Sequence, residues 1–408
     1  MLTGPLDAPT GGLYRAHKSL EEYKKYFDVS PIFLIDDKSK CSEKLTNDIF
    51  MICRKRLGEL LTSARLDALH IYFPNLLLEK LLYRLPVLSK NIDVLIQFHE
   101  VAELIKLGVL LKNRLGSKAI AVLHNPPFIA DKLRRENIWR AYKLWYSELY
   151  SDDKFKKFMG IIRRKIELAT YESRTYRKLL DEYDLLIAIS RATVYEMGNE
   201  LINKIYVLDP GVALDDEDLR LLSNVKSTIR NKENYIVFGG RIDALKGFIE
   251  AIHVFKKILR IYSDLKLVAT GYVSPSLKES ILRYLRKHDV EEKIVLMGSV
   301  SRRERFEVVG KARLMLYPSH ADAYSYSVLE SLLLGTPVVA YDIPALKLNY
   351  EGSSGLKLVK EGDIEALASE ALNMLKDNKY DTSPPKKLRS WRDIIDEEIS
   401  VIKRLAEK

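Results

Sequence analysis

The stretch Leu314–Tyr341, LMLYPSHADAYSYSVLESLLLGTPVVAY, contains the order of elements that decides the fold. The apolar run Leu314–Tyr317 predicts a buried strand, and a polar loop follows it. A helix is predicted from about Tyr326 to Gly335, because glycine is favoured just after the last turn of a helix. The apolar run Pro337–Tyr341 then predicts a second strand. A strand, a helix and a strand at this spacing indicate parallel strands joined by a crossover helix.

The same alternation of short apolar runs and helical periodicity extends along most of the 408 residues. The remaining predicted strands are Pro31–Ile35, Ala68–Phe73, Ile92–Phe98, Ala119–His124, Leu185–Ile189, Ile205–Leu208, Tyr235–Phe238, Leu265–Ala269 and Ile294–Met297. Runs without a polar face indicate strands covered on both sides, so we expect an α/β fold with two doubly wound parallel sheets. Two such sheets facing each other would form a cleft at the carboxyl ends of their strands, where ligands bind.

The boundary between the two halves is predicted near Asp209-Pro210-Gly211. We therefore expect a first domain at residues 1–210, which contains a basic, aromatic helical insert at 131–180. The second domain is expected at 211–385, and a final helix at 386–408.

The composition excludes several classes of protein. With 47% hydrophobic residues the chain is not disordered. No apolar run is as long as a membrane-spanning helix, which needs about 18–20 residues. Residues 1–5 lack the features of a signal peptide. The two cysteines, Cys41 and Cys53, form neither a disulfide framework nor a metal cluster. We expect a soluble, cytoplasmic protein. Gln97 is the only glutamine, a scarcity of amides that resembles proteins from hot environments.

Charged residues follow the predicted strand Tyr235–Phe238. Gly239-Gly240 would let the backbone turn tightly, and Arg241 and Lys246 come before the next helix. A guanidinium, an ammonium and helix amides together form a strong site for a diphosphate. Considered alone, this is weak evidence, because Arg and Lys near a turn are more often exposed, solvated charges.

Two acids lie in the stretch that decides the fold. Asp322 is in the predicted loop and Glu330, eight residues on, is in the predicted helix. They are therefore not a general acid/base pair on one helical face, but they could contact two parts of one extended ligand. In isolation, Asp322 is also explained as an acid near a helix N-terminus, and Glu330 as a solvated helix residue.

In register, these motifs resemble the donor domain of the GT-B glycosyltransferases, specifically the retaining glycosyltransferase family 4, also called glycosyl transferases group 1. The family has a Gly-Arg-x4-Lys-Gly motif, a Gly-x-Val-Ser turn beside the nucleotide base, and an acid, seven residues and a Glu before Gly-Thr-Pro-Val-Val. The matching positions are Gly240-Arg241, Lys246-Gly247, Gly271, Gly298-Ser299-Val300-Ser301, Asp322, Glu330 and Gly335–Val339.

The resemblance implies a GT-B fold of two Rossmann-like domains and a role for each matched residue. Arg241 and Lys246 would stabilise the leaving diphosphate in place of a metal, and Asp322 would contact the transferred sugar. Glu330 would accept hydrogen bonds from the ribose hydroxyls. The implied donor-binding residues are Gly12, Gly240, Gly271, Ser299, Val300, Tyr324, Ser325, Tyr326, Ser327 and Glu330. No metal and no cofactor besides the nucleotide-sugar substrate is implied.

The loop after the first acid departs from the family pattern. The family usually has Gly-Phe-Gly there and a Glu as the acid, whereas this chain has Ala323-Tyr324-Ser325 after Asp322. Side chains at 323 and 325 would restrict the backbone and fill space that a sugar needs. We therefore expect the loop to affect which donor sugar fits and whether the protein is fully active.

The first half resembles the acceptor domain of the same family. Gly11–His17 is similar to its glycine-rich loop and following helix, which makes Tyr14 and Arg15 candidates for acceptor binding, together with His99. His124 ends a predicted strand where many family members have a histidine near the reactive carbon of the sugar; a structural histidine is the alternative.

The two ends of the chain are also compared with the family. Residues 1–10 contain no predicted strand, so either the first strand is lost or the true start lies upstream, which we favour. Trp391 resembles the residue that begins the family's last helix, which crosses back to the first domain.

Residues 131–180 contain 14 Lys/Arg against 7 Asp/Glu, a large part of the net charge of +10. Aromatic residues are interspersed, so this segment is a candidate for peripheral contact with an anionic membrane. The alternative is a helix pair with an aromatic core and solvated cations.

The sequence therefore predicts a retaining, metal-independent glycosyltransferase that moves a sugar from a UDP- or GDP-hexose to a glycan, lipid-linked or small-molecule acceptor. A non-catalytic GT-B-like partner that binds only nucleotide is the main alternative. A different GT-B enzyme, such as an epimerase or a glycogen-type synthase, comes next, and nucleic-acid binding is least favoured.

Overall fold

The computed structural model describes residues 1–3, 11–35, 50–53, 66–72, 91–377 and 380–407. Its strands are β1 (Leu2–Thr3), β2 (Ile32–Ile35), β3 (Phe50–Cys53), β4 (Val94–Phe98), β5 (Lys118–Leu123), β6 (Leu185–Ala188), β7 (Ile205–Val207), β8 (Tyr235–Phe238), β9 (Lys266–Thr270), β10 (Ile294–Gly298), β11 (Met315–Tyr317), β12 (Val338–Tyr341) and β13 (Leu356–Val359).

The helices cover the sheets between these strands. They are α1 (Gly11–Tyr23), α2 (Ala102–Leu115), α3 (Lys132–Leu149), α4 (Lys154–Tyr171), α5 (Arg174–Asp181), α6 (Arg191–Met197), α7 (Asp216–Thr228), α8 (Phe248–Leu259), α9 (Pro275–Lys287), α10 (Arg302–Lys311), α11 (Tyr326–Leu333), α12 (Pro344–Asn349), α13 (Ile364–Lys376) and α14 (Trp391–Ala406). In the part of the chain described here, none of the helices combines the length and apolar character needed to span a bilayer.

The chain divides into two compact units. The first contains Met1–Ala130, Arg163–Ala213 and Arg389–Lys408, and the second contains Asp131–Ile162 and Leu214–Leu388. The main change of unit at 213/214 lies close to the predicted boundary at 210/211, and the last helix belongs to the first unit. All of 131–180 was predicted to belong to the first domain, whereas the structure groups the part up to Ile162 with the second unit.

Each unit is built on a parallel sheet. Within the described ranges, the first sheet has seven strands in the order β3-β2-β1-β4-β5-β6-β7, and the second has six in the order β10-β9-β8-β11-β12-β13. The central strands β5, β11 and β12 have almost no exposed residues because helices cover both faces. Two doubly wound parallel sheets confirm the predicted α/β class.

The start of the chain differs from the prediction. Leu2 and Thr3 form a short central strand, β1, in which Leu2 pairs with Ile32 of β2 and with Gln97 of β4. Two residues are too short for a periodic signal, so the sequence analysis missed this strand. Residues 4–10 lie outside the described residues.

One predicted strand is wrong. Residues Asp67–Tyr72 form a 3₁₀ helix that packs on α2, and Phe73 lies outside the described residues. Ala68 and Ile71 are three residues apart and both buried, which is the spacing that places side chains on one side of a 3₁₀ helix. Lys106 of α2 fixes the turn, since its Nζ donates to the Ile71 carbonyl at 3.0 Å.

The strands β3 and β13 were not predicted from the sequence. Among the described residues, β3 pairs only with β2, and β13 pairs only with β12. Residues of β13 are half-buried or exposed, and a strand at a sheet edge needs no continuous apolar run. Cys41, which was considered together with Cys53 of β3, lies outside the described residues.

Candidate functional site

Two loops meet at the carboxyl edge of the second sheet. β8 ends at Phe238 and its parallel neighbour β11 ends at Tyr317, so the following loops emerge side by side. Gly247, just before α8, has φ +70°, and a Cβ added there would lie 2.1 Å from the Pro318 carbonyl oxygen. Only glycine fits at position 247, because a side chain there would collide with the backbone of the neighbouring loop at Pro318.

Lys246 and Asp322 form an ion pair where these loops meet. The Lys246 ammonium donates to Asp322 Oδ2 at 2.9 Å and to the Ala321 carbonyl at 2.8 Å. The Tyr317 hydroxyl donates to the same carboxylate oxygen, and the Ala323 amide donates to Oδ1 at 3.0 Å. The Lys246 and Asp322 side chains keep 13% and 15% exposure, so the pair is largely enclosed but not sealed.

Each member of this pair keeps the other charged. Burial lowers the pKa of Lys246, but the Asp322 carboxylate outweighs this and raises that pKa above its usual range. Burial raises the pKa of Asp322, yet Lys246 and Tyr317 hold it below its usual range. Burial and the nearby carboxylate raise the pKa of Tyr317 to about 12, so its hydroxyl keeps a proton to donate at neutral pH. Sequence reasoning missed Tyr317 because it reads as the last core residue of a strand.

Arg241 differs from Lys246 in its surroundings. Its side chain is 56% exposed and lies 3.3 Å from Asp243 Oδ2. Gly240 packs against the stem of Lys246, since an added Cβ would lie 2.9 Å from the Lys246 Cβ. One cation is therefore fixed in place, whereas the other is mostly in solvent.

Side chains anchor three alternate carbonyl groups of the loop that contains Asp322. Lys246 binds the Ala321 carbonyl, Asn349 donates to the Ala323 carbonyl at 2.8 Å, and the Tyr350 hydroxyl donates to the Ser325 carbonyl. Asn349 and Tyr350 were missed by the sequence analysis, because nothing near them in sequence points to this loop.

The next residues of the same loop lead into α11. The Ser325 hydroxyl caps this helix by accepting from the Val328 amide at 3.3 Å. Tyr324 is buried, with its ring 5.4 Å from that of Tyr350, and Tyr326, the first residue of α11, is half-buried. Of the predicted donor-binding residues, Tyr324 and Ser325 thus belong to one anchored loop.

Glu330 is completely buried in α11. Arg305 Nη2 lies 2.7 Å from Oε2 and Arg302 Nη2 lies 3.4 Å from Oε1. Neither contact has hydrogen-bond geometry, and no described residue donates a hydrogen bond to either carboxylate oxygen. The two arginines bond elsewhere: Arg302 binds both oxygens of Asp218 at 2.6 Å, and Arg305 donates to Ser327 Oγ at 2.9 Å. Glu330 therefore has a compensated charge and open acceptor positions.

The predicted base-binding turn lies at the ends of β9 and β10. The Gly271 amide donates to the Gly298 carbonyl at 2.8 Å, and Gly271 has φ +125°. Ser299 is exposed and Val300 is half-buried, so this turn presents a small surface to solvent. In the described part of the chain, no three His, Cys, Asp or Glu side chains are placed to hold a metal ion.

A buried charged cluster lies under the Asp322 loop and was not predicted. The His320 ring donates from Nε2 to Glu250 Oε1 at 2.6 Å and from Nδ1 to Glu361 Oε1 at 2.8 Å. Arg134 lies 2.5 Å from Glu361 Oε1 and donates to the His320 carbonyl at 2.7 Å. Burial lowers the pKa of His320, but Glu250 and Glu361 raise it to about 9. A ring with a carboxylate on each nitrogen must carry both protons.

In the first unit, Gly12, His99 and His124 come together. The His99 and His124 ring centroids are 4.6 Å apart, and a Cβ at Gly12 would lie 3.3 Å from the His99 ring and 3.4 Å from His124 Cγ. Burial lowers the pKa of His99 to about 4 and that of His124 well below its usual range. Both rings are therefore neutral, and neither His124 nitrogen has a hydrogen-bond partner among the described residues.

Arg15 is buried in the fold of the first unit. Its guanidinium is 1% exposed, donates from Nε to the Gly211 carbonyl at 2.8 Å, and binds both oxygens of Glu398 at 3.1 and 3.2 Å. Arg15 therefore joins α1 to α14, and its predicted contact with an acceptor stays a prediction. Tyr14, the other candidate of this helix, is half-buried, with the Lys18 ammonium 5.6 Å from its ring centroid.

Comparison with known proteins supports the reading of the second unit. Residues 222–391 match the family model described as "Glycosyl transferases group 1". One curated relative is a 2-deoxystreptamine N-acetyl-D-glucosaminyltransferase from Niallia circulans, 22% identical over 54% of this chain and 52% of the relative. The chain thus matches about half the length of its curated relatives.

Two solved structures resemble the whole chain. One is sucrose-phosphate synthase from Thermosynechococcus elongatus, with a TM-score of 0.66 at 13% identity over 99% of this chain and 98% of the other. The other is Anabaena HepE in complex with UDP and glucose, with a TM-score of 0.59 at 11% identity over 98% of each chain. At this identity the likeness shows the fold alone.

Sheet order and structural likeness together show a GT-B fold. Residues 222–391, which match the model of the glycosyl transferases group 1 family, contain Arg241, Lys246, Asp322 and Glu330.

Proposed function

We propose that this protein is a hexosyltransferase that uses a UDP- or GDP-hexose and retains the configuration at the anomeric carbon without a metal. The observation that carries the proposal is the Lys246–Asp322 pair, an enclosed but unsealed ion pair at the carboxyl edge of a parallel sheet. A UDP-sugar is the first donor to test, because the structurally similar HepE was solved in complex with UDP and glucose.

The cations would act on the leaving group. The bond between the sugar C1 and the diphosphate oxygen breaks, and the acceptor oxygen bonds to C1 on the same face. The acceptor proton passes to the departing diphosphate. Lys246 would stabilise the negative charge that develops there, because its position is fixed before the reaction begins. Arg241, which is mostly exposed to solvent, would move to contact the same diphosphate.

Polar groups would hold the remainder of the donor. Glu330 has two open acceptor positions, which suit the two hydroxyls of a ribose. Asp322 orients Lys246 and would accept hydrogen bonds from the sugar. His124, with a neutral ring and no partner in the described residues, suits a hydrogen bond to a sugar hydroxyl.

For the acceptor, we propose a hydroxyl compound held by the first unit, either a glycan, a lipid-linked sugar or a small molecule. Tyr14, Arg15 and His99 are the candidate contacts, and Arg15 is the most deeply buried of the three. We further propose that the protein acts in the cytoplasm with peripheral contact between segment 131–180 and an anionic membrane.

The test is release of free nucleotide from UDP-, GDP- and ADP-sugars in the presence of a chelator. We expect slow release from one donor. The variant Glu330→Gln should bind that donor about tenfold more weakly, about 1.4 kcal/mol, because an amide offers one acceptor oxygen instead of two. Glu307→Gln on α10 is the matched control and should behave as the unchanged protein.

Other results would point elsewhere. Release that needs an added metal ion would contradict the proposed role of the cations. Thermal stabilisation by UDP, without release or transfer for any donor and acceptor, would identify a non-catalytic nucleotide-binding partner.

A further inference from the structure

The first half of α4 presents an apolar surface to solvent. Phe155, Phe158 and Met159 are 74%, 60% and 47% exposed. They are spaced by three and four residues, so they lie on one face of the helix. Single exposed large apolar side chains are common on protein surfaces. Three adjacent ones on one helix form a contiguous patch, and such patches mark interaction sites.

The packing of α4 fixes this orientation. Gly160 lies on the opposite side of the helix and packs on Tyr146 of α3, where an added Cβ would lie 2.2 Å from the tyrosine ring. The helix cannot rotate to bury Phe155 without losing this close approach. The apolar face is therefore turned outward by the fold.

Positive charge surrounds the apolar face. The stretch 154–166, KFKKFMGIIRRKI, contains six Lys/Arg and no Asp/Glu. Lys154 and Lys156 are exposed beside the phenylalanines, and Lys157 is half-buried. Two acids offset part of this charge: Asp153 Oδ2 lies 3.2 Å from the Lys156 ammonium, and Glu167 Oε2 lies 2.5 Å from Arg164 Nη1.

We propose that Lys154–Met159 is a docking surface for an anionic lipid bilayer. Phe and Met side chains would insert among the acyl chains below the headgroups, and the lysines would lie at the level of the lipid phosphates. Single-stranded nucleic acid also combines phosphates with aromatic partners, and Phe155 and Phe158 could stack on bases, but Met159 suits acyl chains and not bases. The charge pattern and the apolar spacing thus favour a membrane.

This inference rests on the membrane contact proposed above and specifies its residues. The test is co-sedimentation of the full chain with phosphatidylcholine vesicles, with and without phosphatidylglycerol. We expect the protein to pellet with the anionic vesicles only, and less at high salt because counterions screen the lysines. The double variant Phe155→Ser/Phe158→Ser should partition at least about tenfold more weakly, because two apolar side chains no longer insert.

A matched control is the double variant Ile261→Ser/Tyr272→Ser. These two side chains are 59% and 64% exposed elsewhere on the second unit, so their loss should leave vesicle binding unchanged. Equal loss in both double variants, or no pelleting of the unchanged protein, would overturn the proposal. Salt-sensitive binding to an oligonucleotide but not to vesicles would also overturn it.

Nucleotide release separates this inference from the proposed activity. Phe155→Ser/Phe158→Ser should release nucleotide from the donor at the unchanged rate in the absence of membranes. Vesicle binding by a protein that fails the donor test would support the docking surface and reject the transferase.

Discussion

A comparison of two ion pairs, one from each unit, shows how differently similar chemistry is used. Arg15 and Glu398 are sealed, with side chains 1% and 0% exposed, and join α1 to α14. Lys246 and Asp322 keep 13% and 15% exposure at the edge of a sheet. The sealed pair holds two helices together, whereas the open pair leaves a cation where a ligand can approach. Exposure, rather than the residue types, separates a structural pair from a candidate site.

The largest effect is expected from breaking the sealed pair. Glu398→Gln should lower the free energy of unfolding of the first unit by about 3–5 kcal/mol, because Arg15 stays buried without a counter-charge. Urea unfolding followed by fluorescence measures this, and Trp391, 5.9 Å from the Arg15 guanidinium, reports locally. The double variant Arg15→Met/Glu398→Leu should recover much of the loss. A single variant as stable as the unchanged protein would show that the pair is not buried.

The second prediction concerns the pH dependence of the second unit. The pKa of His320 is raised from 6.5 to about 9 by Glu250 and Glu361, with Arg134 and Tyr341 as its other polar neighbours. A raised pKa gives stability that is complete below pH 6.5 and is lost as pH rises through 9, on the order of 3 kcal/mol. The Tm should therefore fall across this window, and the slope should be much smaller in His320→Gln.

His320 is also expected to position the loop that contains Asp322, and this role needs a measurement other than stability. In the unchanged protein the KM for the donor should rise across the same window, because the loop with Asp322 loosens, while kcat changes less. Should His320→Gln not fold, Glu361→Gln offers the same test, since it removes one of the two carboxylates that hold the proton. If Tm and KM depend on pH in the variant as they do in the unchanged protein, His320 does not position the loop.

The third prediction tests the open pair. Lys246→Ala should lower the rate of nucleotide release by about 10²-fold, the cost of removing one preorganised charge from the leaving group. Stability should change less than in Glu398→Gln, because Asp322 keeps its bonds from Tyr317 and Ala323. Lys278→Ala, an exposed lysine of α9, is the matched control. Near-normal release by Lys246→Ala would exclude Lys246 from the chemistry.

The comparison of the two pairs also shows what the sequence contains. Lys246, Asp322 and Glu330 were singled out because their spacing matches motifs of the family that the sequence resembles. That Lys246 and Asp322 lie close together could be expected, because both follow parallel strands, whose ends meet at one edge. Arg15 has an equally good local position, but its partner is 383 residues away, so its burial depends on packing that no local pattern encodes.

The same reason explains the other differences. His320 meets Glu250 and Glu361 only through the fold, and Asn349 and Tyr350 reach the loop from a separate helix. The sheets were predictable where strands are buried on both faces. β1 was missed because it has two residues, and β13 because it is a half-exposed edge.

The smallest effect is expected at the two positions where the loop departs from the family. The sequence predicted that side chains at 323 and 325 would restrict the backbone, but neither residue has a positive φ, and Ser325 is at φ −92°, which any residue adopts. Ser325→Gly removes only a helix cap, a change of a few tenths of a kcal/mol, because glycine also serves at this position. Ala323→Gly should cost about 1 kcal/mol through the entropy of the unfolded chain. Nucleotide release by both variants should stay within about threefold of the unchanged protein, and a tenfold gain would show instead that these side chains occupy the space of the sugar.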